Sequence, residues 1–281
     1  MIGYFVSATF SFLDASAVGS LLMPLLYGLL LLPVLGLAVI DTRVRGYTGF
    51  SYKPIGLFLL LFLLMSVLFL DADGFFGLRG GLNWLGYLFS FICGFLFVVS
   101  IDDFSSKNIG FGFSAAAGNT RSNWWFVLRL YFFIFGYLFL FSALGSWLAV
   151  HHGEHPVGRK ISDQLLVFEL LVPGVVEEFF FRGIFLYLLD RTFGRPWNVL
   201  RVKMGWGAVI VSFLFGLMHS VFLSGDALPF SHFNLRVSLW IFLITAGWGF
   251  FFAWIKEKTR NLMFCVLGHD LVNMFGLFVL H

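Results

Sequence analysis

The chain has 281 residues, of which 59% are apolar and 20% aromatic, and only 12% carry a charge. A soluble globular domain carries about 25% charged residues, so this composition excludes an ordinary water-soluble fold and points to the bilayer. The net charge of +3 comes from basic residues in short loops between apolar runs and marks no nucleic-acid surface.

Taking about 20 apolar residues per crossing, eight spans are predicted: Ser20–Ile40, Ile55–Leu70, Leu82–Ile101, Trp124–Val150, Leu165–Leu189, Ala208–Leu223, Leu239–Ile255 and Met263–Leu280. The fold class is therefore all-α, a polytopic membrane helical bundle of about eight transmembrane helices. Residues 1–14 are apolar but too short to span, and read as interfacial. They lack the basic n-region of a cleavable signal peptide. Cys93 and Cys265 both fall inside apolar segments and read as packing thiols, not as a disulfide framework or a CxxC metal site. The forty phenylalanines read as bulky lipid-facing surface.

Loops 41–54, 102–123, 190–207 and 256–262 hold twelve basic residues, among them Arg43, Arg45, Lys107, Arg195, Lys256 and Arg260. The opposite loops hold only Arg79, Arg159, Lys160 and Arg236. The positive-inside rule places the first set in the cytoplasm and both termini outside. The first four spans, in an N-terminal region 1–164, carry little polar chemistry; Arg129 sits where it can snorkel to the cytoplasmic surface. The flexible composition of loop 102–123 marks the boundary towards a core at 165–281 that holds the chemistry.

That chemistry is densest in span five, where VPGVVEEFFFRGIFLYLL puts two adjacent carboxylates and an arginine into an apolar run. Each ionised group costs ~2.5–3.5 kcal/mol at a helix centre in lipid, so the three are expected to face protein. Glu178 and Arg182, four apart, share one helix face and can pair. Glu177, about 100° around, is left to find a partner elsewhere. Pro173 and Gly174 are expected to kink the span one turn earlier. Span six adds His219, and span eight adds His269, Asp270 and Asn273. His269 and Asn273 project from one face, with Asp270 pointing away from it. Burying these groups together costs less than exposing each to lipid, and the topology puts them at a common depth somewhat towards the outer face. Glu169 is accounted for by interfacial solvation. His151, His152 and His155 form at most a weak metal patch in a solvated loop.

Glu177-Glu178-x-x-x-Arg182, Phe215-x-x-x-His219 and His269-x-x-x-Asn273 resemble the three ordered motifs of the type II CAAX prenyl protease family, whose wider bacterial and archaeal group is called the CPBP intramembrane glutamic proteases. The resemblance covers about residues 165–280. It implies peptide-bond hydrolysis by water activated within the membrane of a prokaryotic cell, acting on a membrane-anchored protein or peptide. By position, Glu177 would be the general base and His219 would hold the water. His269 and Asn273 would stabilise the oxyanion, and Glu178 and Arg182 would orient the helix. No cofactor is implied. Two histidines and a glutamate could also bind zinc with water as fourth ligand, but there is no HExxH helix and Asn273 is a poor zinc ligand, which favours a metal-free glutamic mechanism. The family name suggests a prenylated CAAX terminus presented from the cytosol. The depth of the polar groups points instead to a C-terminal sorting signal or an exported precursor. Two other classes remain: a non-catalytic binding or immunity protein, and a proton-coupled transporter, which would usually show paired half-repeats.

Overall fold

Backbone polar groups find no water in the hydrocarbon core, so an apolar chain there must satisfy them within helices. The computed structural model describes residues 15–75, 84–100, 110, 120–151, 162–220 and 235–280. The stretch 1–14, nearly all of loop 102–123, and His152 and His155 lie outside them. Each predicted span coincides with helical structure. The first four are α1 (Ala15–Val44), α2 (Lys53–Phe75), α3 (Trp84–Ser100) and α4 (Thr120–His151). Span five is composite: α5 (Asp163–Leu171), α6 (Pro173–Glu178), a π-helix over Phe179–Phe185, and α7 (Leu186–Phe193). The last three are α8 (Trp206–Ser220), α9 (Leu235–Thr259) and α10 (Met263–Leu280). Pro24–Val44, Trp124–Leu144 and Leu235–Thr259 are long and apolar enough to cross a membrane, and four shorter apolar helices accompany them. The protein is a helical membrane protein.

One element departs from the all-α expectation. Within loop 190–207, β1 (Trp197–Val199) and β2 (Val202–Met204) form an antiparallel hairpin, Trp197 opposite Met204. Its two turn residues, Leu200 and Arg201, have φ of 49° and 66°. Two positive φ values in a two-residue loop match the twist of the flanking strands.

The phenylalanines divide into two populations, which corrects the lipid-facing reading. Phe132, Phe133, Phe139 and Phe141 on α4 stand exposed on the outer surface, as lipid contact requires. Phe180, Phe181, Phe185, Phe193, Phe252 and Phe264 are fully buried, and they fill the centre between α7, α8, α9 and α10. α8 and α9 run antiparallel with backbones close together: a Cβ on Gly216 would lie 2.9 Å from Ala246, and one on Gly249 would lie 3.0 Å from Ser212. Small residues at a helix interface permit such an approach in membranes.

The four loops grouped by their basic charge meet on one face. Trp206 Nε1 donates to Asp41 Oδ2 at 2.7 Å, and Trp254 Nε1 to the Val199 carbonyl at 3.1 Å. The Leu262 amide donates to the Gly110 carbonyl at 3.0 Å. Glu257 pairs with Arg195 and, at 2.9 Å, with Arg260.

In the same cluster, Asp190 lies 3.6 Å from Arg195. Burial, reinforced by the Glu257 carboxylate, pushes the Asp190 carboxyl up to about 8. An unfolded chain titrates this group near ~3.9, so the folded protein holds a proton that the unfolded chain releases. Asp190 therefore costs stability progressively as pH rises from about 4 to about 8. Asp190→Asn is expected to flatten the fall of the melting temperature between pH ~5 and ~8; an unchanged slope would contradict this.

Candidate active site

The local break in span five places its carboxylates. α5 begins at an N-cap, Ser162, whose side chain accepts from the Leu165 amide at 3.2 Å, and it ends at Leu171. Pro173 takes the first helical position of α6, where its missing N–H leaves no helical bond unmade. The kink expected at Pro173 is thus a change of helix. After Glu178 the backbone widens into the π-helix, closing with the Leu186 amide on the Phe181 carbonyl. Glu177 and Glu178 sit on the last turn of α6, just before this widening. Insertions of this kind recur at functional sites.

Glu178 and Arg182 form the expected pair, Arg182 Nη1 to Glu178 Oε1 at 2.8 Å, with both side chains fully buried. The pair extends further than the spacing alone implies. Arg182 Nη2 donates to the Gly249 carbonyl at 3.2 Å, and its guanidinium lies 4.6 Å over the Phe215 ring. His269 Nδ1 approaches the same Glu178 Oε1 at 2.8 Å. Residues on α6, the π-helix, α8, α9 and α10 are thereby tied together. A carboxylate accepting from Nδ1–H fixes the ring's tautomer and turns Nε2 outward.

Glu177 finds its partners on other helices. Tyr87, on α3, donates to Glu177 Oε1 at 2.8 Å. The second oxygen, Oε2, is 3.9 Å from His219 Nε2 and 3.9 Å from His269 Nε2. No hydrogen bond reaches it within the described residues. His219 Nδ1 donates to the Phe215 carbonyl at 2.8 Å, so both imidazoles commit Nδ1 elsewhere and aim Nε2 at one carboxylate oxygen. Phe215 packs beside both rings, with centroids 4.3 Å and 5.8 Å away. His269 is buried, whereas the His219 side chain is 36% exposed and forms the open lip of the cluster.

Glu177, Glu178, Arg182, His219 and His269 are therefore brought together. Asn273 is half-buried one turn beyond His269 on α10. Asp270, expected to point away, also packs against α6: its Oδ1 lies against Gly174, one turn before Glu177 and Glu178, where a Cβ would collide with it. Glu169 is half-buried on α5. Cys265 is a buried free thiol donating to the Phe252 carbonyl at 3.2 Å. His151 is exposed and stacks on Trp147. Tyr87 is the residue that the sequence did not single out: a lone tyrosine in an apolar span carries no spacing signal. The reading of the first four spans as nearly free of polar chemistry is corrected by it, and by Tyr131 on α4. The Tyr131 hydroxyl donates to the Phe264 carbonyl at 2.6 Å, five residues before His269.

Removing one partner of a buried ion pair leaves the other charge uncompensated, at a cost of about 3–5 kcal/mol. Arg182→Leu is expected to lower thermal stability in detergent by that order. The double change Glu178→Gln/Arg182→Leu should recover part of the loss. A single change without effect on melting would contradict the network.

A family model described as Rce1-like type II CAAX prenyl endopeptidase matches residues 164–275. No curated protein and no solved structure matches the chain.

Proposed function

We propose that the protein is a membrane protease, a reading supported by the match of residues 164–275 to the Rce1-like type II CAAX prenyl endopeptidase model, and that Glu177 is the base that activates its water. The observation carrying this reading is the pair of equal 3.9 Å separations between Glu177 Oε2 and the two imidazole Nε2 atoms. They are too long for direct hydrogen bonds, and an oxygen at about 2.8 Å from each fits between them. Water held there gives one proton to Glu177 as its oxygen attacks the scissile carbonyl carbon. The same proton passes to the amide nitrogen as the C–N bond breaks, leaving a free amine and a carboxylic acid that keeps the second water proton. Proton exchange between them gives carboxylate and ammonium.

The other residues divide this work. His219, with its Nδ1 proton on the Phe215 carbonyl, offers a lone pair at Nε2 and orients the water. His269, with Nδ1 on the Glu178 carboxylate, takes a second proton at Nε2 and donates to the oxyanion. Asn273, one turn on, adds an amide donor. Glu178 and Arg182 hold His269 in place. The site lies in the 165–281 core, with 1–164 as a supporting region.

The substrate class follows from the side on which the site opens. α8 starts at Trp206, bonded to Asp41 on the basic face. His219, thirteen residues along α8, stands about 20 Å from that face at 1.5 Å per residue. With the basic face cytoplasmic and both termini outside, the exposed lip faces the exported side. This favours the membrane-anchored end of an exported protein, such as a C-terminal sorting signal or a secreted peptide precursor, over a cytosolic CAAX terminus. A cysteine-accessibility map that finds loop 190–207 outside would overturn that preference.

The reaction is tested by comparing wild type with Glu177→Ala and Glu178→Ala in native membranes, with and without chelator, reading the size of membrane-anchored precursors. Glu177→Ala is expected to leave precursors uncleaved at unchanged protein level, and chelator to make no difference to wild type. Glu178→Ala should lower the amount of folded protein as well. Normal processing by Glu177→Ala, or loss of processing on chelation, would overturn the proposal.

A further inference from the structure

We infer that the active site is completed from outside the protease domain: Tyr87, on α3, is a positioning residue that holds Glu177 through its hydroxyl. The inference rests on Glu177 as the base. The two oxygens of Glu177 then have different tasks. Oε1 accepts the Tyr87 hydroxyl at 2.8 Å, and Oε2 faces the two imidazoles. A carboxylate on two rotatable bonds beyond Cβ has many ways to turn. One strong donor on Oε1 selects the rotamer in which Oε2 meets both Nε2 atoms. An O–H···O⁻ bond is charge-assisted and roughly twice as strong as a neutral one, so it is suited to fixing the orientation of a base.

The surroundings hold the tyrosine as firmly as the tyrosine holds the glutamate. Gly86, Ser90, Gly94 and Val98 are the buried residues of α3, spaced four apart on one stripe, and Tyr87 adjoins it. At Gly94 a Cβ would lie 2.7 Å from Phe180 and 3.0 Å from Phe179, so α3 approaches the π-helix closely because glycine stands there. On the other side the Phe168 ring meets Tyr87 edge-on at 5.4 Å and Trp84 at 5.0 Å. The tyrosine is wedged between the catalytic helix and α5. Helix α3 lies wholly before residue 164, where the family match begins. Glu177, His219 and His269 fall within the matched residues, and the N-terminal region supplies a group that aims one of them.

The test uses the purified full-length protein in detergent, where both faces are accessible, and a fluorophore–quencher peptide carrying the cleaved segment of the membrane-anchored precursor that Glu177→Ala leaves unprocessed. Tyr87→Phe keeps the ring and deletes one hydrogen bond to a charged group, so kcat is expected to fall about tenfold to a hundredfold with KM and melting temperature nearly unchanged. Phe168→Leu disturbs the same packing without removing the hydroxyl and should keep most of the wild-type kcat. A second readout needs no turnover: labelling of Glu177 by dicyclohexylcarbodiimide in native membranes, located by peptide mass spectrometry. It should be several-fold faster in Tyr87→Phe than in wild type or Phe168→Leu. Wild-type kcat or equal labelling in Tyr87→Phe, or Phe168→Leu as damaging as Tyr87→Phe, would overturn the inference. Glu177→Gln separates the two levels: if it cleaves the peptide at the wild-type rate, the base assignment itself falls. If it is inactive while Tyr87→Phe is not, only the positioning role falls.

Discussion

The buried contact among Glu178, Arg182 and His269 is the constraint on which the rest of the site depends. One carboxylate oxygen takes Arg182 Nη1 and His269 Nδ1, each at 2.8 Å, in a place that solvent does not reach. Such a group is costly to bury and needs opposite charge and hydrogen-bond partners beside it. The arginine is compensated by the Gly249 carbonyl and the Phe215 face, and Glu178 Oε1 by the arginine and the imidazole, while Glu178 Oε2 and Arg182 Nε have no hydrogen-bond partner among the described residues. These partners come from different helices, so the network cannot form unless α6, the π-helix, α9 and α10 are already in register. It thereby sets the direction of His269 Nε2, and with it the geometry around Glu177.

Two adjacent carboxylates acquire opposite environments through helix geometry. A step of about 100° turns Glu178 into the dry centre and Glu177 towards α3 and the half-open lip at His219. The first is consumed by structure. The second keeps an oxygen that two imidazoles face at more than hydrogen-bond length. A reactive water needs a site of this kind: polar on several sides, shielded from bulk solvent, and built so that reorganisation costs little when charge develops. The π-helix that follows Glu178 loosens the helix at the residues where both carboxylates must satisfy contacts with several neighbours at once.

How much of this was legible in the sequence follows from which signals have a period. Charged groups in apolar runs stand out individually, so Glu177, Glu178, His219 and His269 could be named and their convergence anticipated on energetic grounds. The Glu178–Arg182 pair was readable from a spacing of four. The bond from Glu178 to His269 spans 91 residues and has no local signature. Tyr87 is invisible for the same reason, since a tyrosine in an apolar helix is compatible with lipid contact, packing or catalysis. The hairpin escaped because its turn carries Leu200-Arg201 in place of the Asn-Gly that usually announces one. The burial of Phe181, Phe215 and Phe252 around Arg182 could not be told from lipid-facing bulk, because composition is the same in both settings. Asn273 follows His269 by one helical turn, as its spacing predicts, and is half-buried there.

Glu177 as a base acting on water, with no covalent bond to the substrate, is the central claim. A single turnover in oxygen-18 water, with enzyme in excess over a peptide carrying the cleaved segment of the membrane-anchored precursor, tests it most directly. Direct attack by water predicts that the new product carboxylate carries one labelled oxygen after the first turnover and that the Glu177 peptide carries none. Label in Glu177, or an unlabelled product from the first turnover, would mean that the carboxylate itself attacks the substrate, and would contradict the account.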